Sequence, residues 1–181
     1  MSDKINAQEI ISVSLKLFII TSVVAILLST VHFFTKEGIE INTNTKELKA
    51  INEIFPGSKS TDVTEKIIHD KYPDVKKILE IVDDGVLTGY CVIIAPHGYA
   101  GDIEMAVGIK TNLSVEKIKI INNKETPDVG SKALEQGFLD SYVGSVTEMK
   151  IQTRATITSK GVYSGIHDSI VLVKELMKFE K

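Results

Sequence analysis

From Leu17 to Phe34 the chain reads LFIITSVVAILLSTVHFF, without one residue formally charged at neutral pH. At ~1.5 Å of rise per residue, a helix of this stretch nearly crosses the ~30 Å hydrocarbon core of a bilayer. Val13 and Leu15 extend it upstream, and Lys16 can snorkel to the interface. A core helix of a water-soluble domain would carry a polar stripe, whereas here only scattered Ser, Thr and one His interrupt the apolar run. A single transmembrane helix over residues 13–35 is therefore expected, preceded by a tail over residues 1–12. A cleaved signal peptide would end in small residues, and Val31-His32-Phe33-Phe34 does not fit that pattern. Lys4 and Lys16 precede the span while Lys36, Lys46 and Lys49 follow it, so the positive-inside count does not set its orientation.

With 181 residues, the chain has room for one ordinary domain beyond the span. Its net charge is -3, and no basic stripe is interleaved with aromatics, so nucleic acid is not an expected partner. Cys91 is the only cysteine, which excludes an internal disulfide and any multi-cysteine metal or iron–sulfur site built from this chain alone. His69 and His97 have no second ligand at metal-binding spacing, and no metal site is expected.

Residues 36–44 are polar and lack a strong period, which reads as a tether to a soluble domain over residues 45–181. Thr45 to Phe55 reads as a short amphipathic helix ended by Pro56-Gly57. Extended segments follow at Ile78–Val82, Val86–Ile94, Ile103–Ile109 and Val115–Ile121, the first two joined by Asp83-Asp84-Gly85 with its hairpin-favouring Asp-Gly step. Four strands linked by short turns suggest an antiparallel meander. Helices are expected from about Val129 to Tyr142 and from about Ser159 to Phe179, the second with Val162, Ile166, Ile170, Val173 and Met177 on one face. The fold class expected is α+β, a mainly antiparallel sheet packed by helices.

Three segments carry the functional signal. They are Gly98-Tyr99-Ala100-Gly101-Asp102-Ile103-Glu104 leading to Val107-Gly108-Ile109, then Glu125-Thr126-Pro127-Asp128-Val129-Gly130, then Thr153-Arg154-Ala155-Thr156 followed by Thr158-Ser159. Taken alone, Thr and Ser before an apolar-periodic run are what helix capping selects, and paired glycines mark turns. In order behind one membrane span, the three resemble the FMN-binding domain shared by the G subunit of the Rnf electron-transport complex and the C subunit of the sodium-pumping NADH:quinone reductase. The family patterns are Gly-Tyr-x-Gly, Glu-Thr-Pro-Gly-Leu-Gly and Ser/Thr-Gly-Ala-Thr. Here Asp128 and Arg154 stand where the family has glycine, Val129 where it has leucine, and Lys150 where it usually has aspartate.

The resemblance implies that Thr156 carries FMN through a phosphoester bond to its hydroxyl, installed by a separate flavin transferase. It also implies cofactor-binding roles for Thr153, Arg154, Ala155, Thr158 and Ser159, and for Gly98, Tyr99, Gly101, Glu125, Thr126 and Pro127. The chain would then be a membrane-anchored flavoprotein subunit of an ion-translocating electron-transport complex, relaying electrons and working no catalytic residue of its own. Its partners would be the other membrane subunits, the transferase and membrane lipid, with the soluble domain extracytoplasmic. A different class of reading is a non-flavinylated, membrane-anchored binding or assembly module of the same fold, favoured by Lys150 and Arg154. A hydrolase has no Ser-x-x-Lys or Gly-x-Ser-x-Gly pattern behind it at Thr158 or Ser159.

Overall fold

A computed structural model describes residues 7–66, 71–144 and 148–179. Residues 1–6 of the expected tail, and His69, lie outside the described residues. The chain divides into two compact units, Met1–Asn44 and Thr45–Lys181.

In the first unit, Ile10–His32 is long and apolar enough to cross a membrane, and none of its apolar window is buried. Its 23 residues measure about 35 Å as a helix. Thr21 and Thr30 return their hydroxyls to carbonyls of the preceding turn, Thr30 to Ile26 at 2.8 Å, so neither presents an unsatisfied donor to lipid. Helix α1 is assigned from Ala7 to Ile54. Residues 36–44, expected as a tether, carry helical backbone. The first proline of the chain is Pro56, so nothing upstream removes a helical donor.

The second unit is a five-stranded antiparallel sheet in sequential order: β1 (Lys59–Asp62), β2 (Val75–Asp83), β3 (Val86–Ile94), β4 (Glu104–Lys110) and β5 (Val115–Asn122). The α+β meander expected from the sequence is present, with one strand more. β1 went unread because Lys-Ser-Thr-Asp has no apolar alternation, and all four of its residues are exposed at the sheet edge. The Asp83–Val86 turn closes the β2–β3 hairpin with Asp84 and Gly85 both at positive φ, as the Asp-Gly step implies.

Alternation along the strands sends side chains to two cores. Ile78, Tyr90, Val92, Met105, Val107 and Ile109 share one with α3 (Thr156–Phe179), through Val162, Ile166 and Val173. Leu79, Ile81, Cys91, Ile93 and Ala106 share the other with Ala50, Ile51, Ile54 and Phe55 at the end of α1. Both faces of β3 and β4 are covered, which explains their continuous apolar runs. Burial pushes the Cys91 thiol up to about 12, so this cysteine packs and does not react.

The helix expected over Val129–Tyr142 is instead three short pieces: a 3-10 turn at Gly130–Leu134, α2 (Gln136–Leu139), and a 3-10 turn at Asp140–Tyr142. Glu135 between them is extended (φ -65, ψ 141), which breaks the ladder, and glycines at 130 and 137 weaken helix propensity on either side. Helix α3 begins at Thr156, three residues earlier than expected, and runs 24 residues to Phe179. Near its C-terminal end Glu175 accepts from the Tyr72 hydroxyl at 2.8 Å and pairs with Lys71, whose ammonium holds the Glu175 carboxyl below its ordinary range.

Candidate functional site

The start of α3 is fixed by a turn and a serine. The Ala155 amide donates to the Gln152 carbonyl at 3.0 Å, closing a four-residue turn whose third residue, Arg154, has φ 68. Ser159 is fully buried and serves this turn twice, accepting from the Gln152 amide at 3.0 Å and donating to the Ala155 carbonyl at 2.8 Å. The segment leading in is gripped by Tyr142. Its hydroxyl accepts from the Lys150 amide at 2.8 Å and donates to the Lys150 carbonyl at 3.0 Å. The Lys150 ammonium bonds the Ser141 carbonyl and lies 5.6 Å from the centre of the Tyr142 ring, so its charge is engaged locally.

A second turn faces this one. Thr126 accepts from the Val129 amide at 3.3 Å, with Pro127 second and Asp128 third in the turn, the latter at φ 60. Proline second and positive φ third is the pattern of a type II turn, which prefers glycine at the third place. Thus Asp128 and Arg154, both standing where the family pattern has glycine, both adopt the left-handed backbone. Asp tolerates that conformation better than Arg, because its short side chain can bond locally. Arg154→Gly is therefore expected to stabilise the domain by roughly 0.5–1 kcal/mol, less the extra entropy glycine gives the unfolded chain. Thermal melts of the variant beside Asp128→Gly, which should gain less, check this.

Between the turns lies a cavity of about 520 Å³. Tyr99, Thr126, Val129 and Gly130 form one side, and residues 154–158 of the α3 start form the other. Six predicted site residues therefore meet here: Tyr99, Thr126, Arg154, Ala155, Thr156 and Thr158. Thr156 and Arg154 are exposed, Ala155 is buried, and Arg154 is the one charged side chain among the described lining residues. Thr158 is 1% exposed, and its hydroxyl oxygen has no hydrogen-bond partner among the described residues. A buried hydroxyl without a partner is costly unless a ligand satisfies it.

The remaining predicted residues support the walls without lining them. Gly98 and Gly101 close the Tyr99 loop through a 2.8 Å bond from the Gly98 amide to the Gly101 carbonyl. Glu125 lies behind that loop, accepting from the Tyr99 amide at 2.7 Å. Pro127 shapes the second turn, Thr153 is exposed in the first, and Ser159 pins it. Sequence reasoning missed Val129, Gly130 and Ile157 as lining residues. The first two stand inside a quoted motif, but nothing in the motif says which of its members face the cavity.

The residues present fit a flavin phosphate. Thr156, Ile157 and Thr158 form the first helical turn, whose amides have no carbonyl four residues back and which carries the positive end of the helix dipole. Thr158, whose buried hydroxyl has no partner among the described residues, and the charged residue Arg154 line the same wall, with Tyr99, Val129 and Ile157 as the large apolar lining residues. A second groove of about 480 Å³, lined by Lys46, Lys49, Glu53 and Lys119, brings none of the predicted site residues together.

Residues 98–171 match the FMN-binding domain family, a stretch that holds every residue of the cavity wall and every predicted site residue. The resemblance read from the three motifs therefore holds, and the chain carries an FMN-binding domain behind its apolar helix. Along 97% of its length the chain is 27% identical to the G subunit of the Na(+)-translocating ferredoxin:NAD(+) oxidoreductase complex of Acetobacterium woodii, covering 97% of that protein. It is 30% identical over 45% of its length to the G subunit of the proton-translocating ferredoxin:NAD(+) oxidoreductase complex of Clostridium ljungdahlii. Over 56% of its length it is 27% identical to the G subunit of the ion-translocating oxidoreductase complex of Haemophilus influenzae. These two matches cover 51% and 52% of those relatives.

Proposed function

We propose that the protein is a membrane-anchored flavoprotein subunit of an ion-translocating electron-transport complex, relaying electrons through FMN held covalently on Thr156. The observation that carries the reading is the α3 start. There an exposed threonine, Thr156, lines one cavity together with Thr158, whose buried hydroxyl has no partner among the described residues, at the first turn of the helix. FMN bound there supplies one- and two-electron redox chemistry. In attachment the Thr156 oxygen would form the bond to the flavin phosphorus as the donor's leaving group departs from it, the hydroxyl proton passing to a base of the transferase. Arg154 and Thr158 would hold the phosphate, and Tyr99 and Val129 would bound the apolar end.

No nucleophile or general acid of this chain is needed for electron relay. Its partners are the other membrane subunits of the complex, with the Ile10–His32 helix in lipid and the soluble domain extracytoplasmic. Lys150 and Arg154, which depart from the family pattern, favour a second reading in which the domain is an assembly module without covalent flavin. Co-expression of the full chain with a flavin transferase separates the two. The proposal expects a fluorescent band at the protein's position in a denaturing gel, absent when the transferase is omitted. No band with a transferase proven active on another substrate overturns the covalent reading.

A further inference from the structure

Glu125 is 7% exposed, yet only one of its carboxylate oxygens is satisfied. Oε1 accepts from the Tyr99 amide at 2.7 Å and the Ala100 amide at 3.4 Å, while Oε2 is buried with no partner among the described residues. The Asn123 side chain accepts from the Glu125 amide at 3.1 Å and fixes the residue's own backbone. Two glycines make room for the carboxylate. A Cβ at Gly98 would fall 2.2 Å from Oε1, and a Cβ at Gly130 would fall 2.2 Å from Oε2 and 3.0 Å from the carboxyl carbon. The side chain is thus wedged between the loop bearing Tyr99 and the turn bearing Val129, the two segments that make one side of the cavity.

We propose that Glu125 is a positioning residue for the cavity, which buckles these two segments together and holds a negative charge one glycine behind the wall. Amide donors stabilise an anionic carboxylate, and in a site away from water a fixed charge acts strongly on charge that arrives nearby. An electron entering the cavity meets that negative charge, so Glu125 lowers the reduction potential of the group bound there. The charge effect rests on the reading that FMN fills the cavity, and the buckle does not.

The experiment has two arms on the full chain. The protein contains no tryptophan, so Tyr99→Trp introduces a single reporter on the buckled loop. In protein made without transferase, Glu125→Ala should lower the reporter's fluorescence anisotropy, and Glu125→Gln, which keeps the acceptor for Tyr99 and Ala100, should leave it unchanged. Equal anisotropy in Glu125→Ala and its parent overturns the buckle. In flavin-loaded protein without the reporter, Glu125→Gln should shift the midpoint potential upward in a spectroelectrochemical titration. An unchanged or lowered potential overturns the charge effect. Should the wild type take no flavin, the covalent reading fails, and the anisotropy arm still decides the buckle.

Discussion

Thr156→Ala should remove all covalent flavin from the protein while leaving its fold intact. Three threonines stand within this short segment, and their settings separate them. Thr158 is buried at 1% exposure, out of a transferase's reach. Thr153 is exposed but does not line the cavity. Thr156 is both exposed and part of the wall, at the first position of α3. The turn before it is held by Ala155, Gln152 and Ser159, so the start of the helix does not depend on the Thr156 side chain. Truncation should therefore change stability by less than about 0.5 kcal/mol, as at other surface positions. Thr156→Ser should keep the flavin and Thr153→Ala should be neutral, both read by in-gel fluorescence. Lys150→Asp, which restores the family's usual charge, should raise the yield of modification.

Gly161→Ala should destabilise the domain by about 1–3 kcal/mol, although alanine in a helix interior ordinarily gains about 1 kcal/mol over glycine. A Cβ at this position would fall 2.5 Å from the His97 carbonyl oxygen and 3.2 Å from its carbon. Those are backbone atoms and cannot swing aside, so α3 must lift from the segment that leads into the Tyr99 loop. The steric cost exceeds the propensity gain. For a domain of this size the loss corresponds to a melting temperature lower by roughly 3–12 °C. Gly137→Ala is the control, since a Cβ there meets nothing within 4 Å, and it should be neutral or slightly stabilising. Flavin yield should fall in the first variant and not in the second, because only the first separates the two sides of the cavity.

The last helix and β2 were legible because their burial is periodic, and β3 and β4 because burial on both faces makes them continuous apolar runs bounded by turns. Ile166 and Val173 repeat at helical spacing, and β2 alternates between its two cores. Lys59–Asp62 could not be read as a strand, because an exposed edge strand has no buried face to impose alternation. The expected helix over 129–142 failed for the opposite reason. Leu134, Phe138, Leu139 and Tyr142 are apolar at near-helical spacing, but they reach the core from separate short turns. At the site, the motifs singled out six residues that do line the cavity. They did not say that Glu125 supports the wall from behind or that Ser159 serves the turn, because those roles depend on contacts between distant segments. The two positions where glycine is replaced turned out to share one backbone conformation, φ 60 at Asp128 and φ 68 at Arg154. A sequence names the residue at such a place, and only the fold says what the place demands.

Peptide mass mapping shows whether Thr156 carries the flavin. The full chain, co-expressed with an active flavin transferase and purified from membranes, is digested and its peptides sequenced by fragmentation. One peptide should be heavier by one FMN phosphoryl adduct, with the added mass on Thr156. An unmodified Thr156 peptide, or the adduct on Thr153 or Thr158, would contradict it.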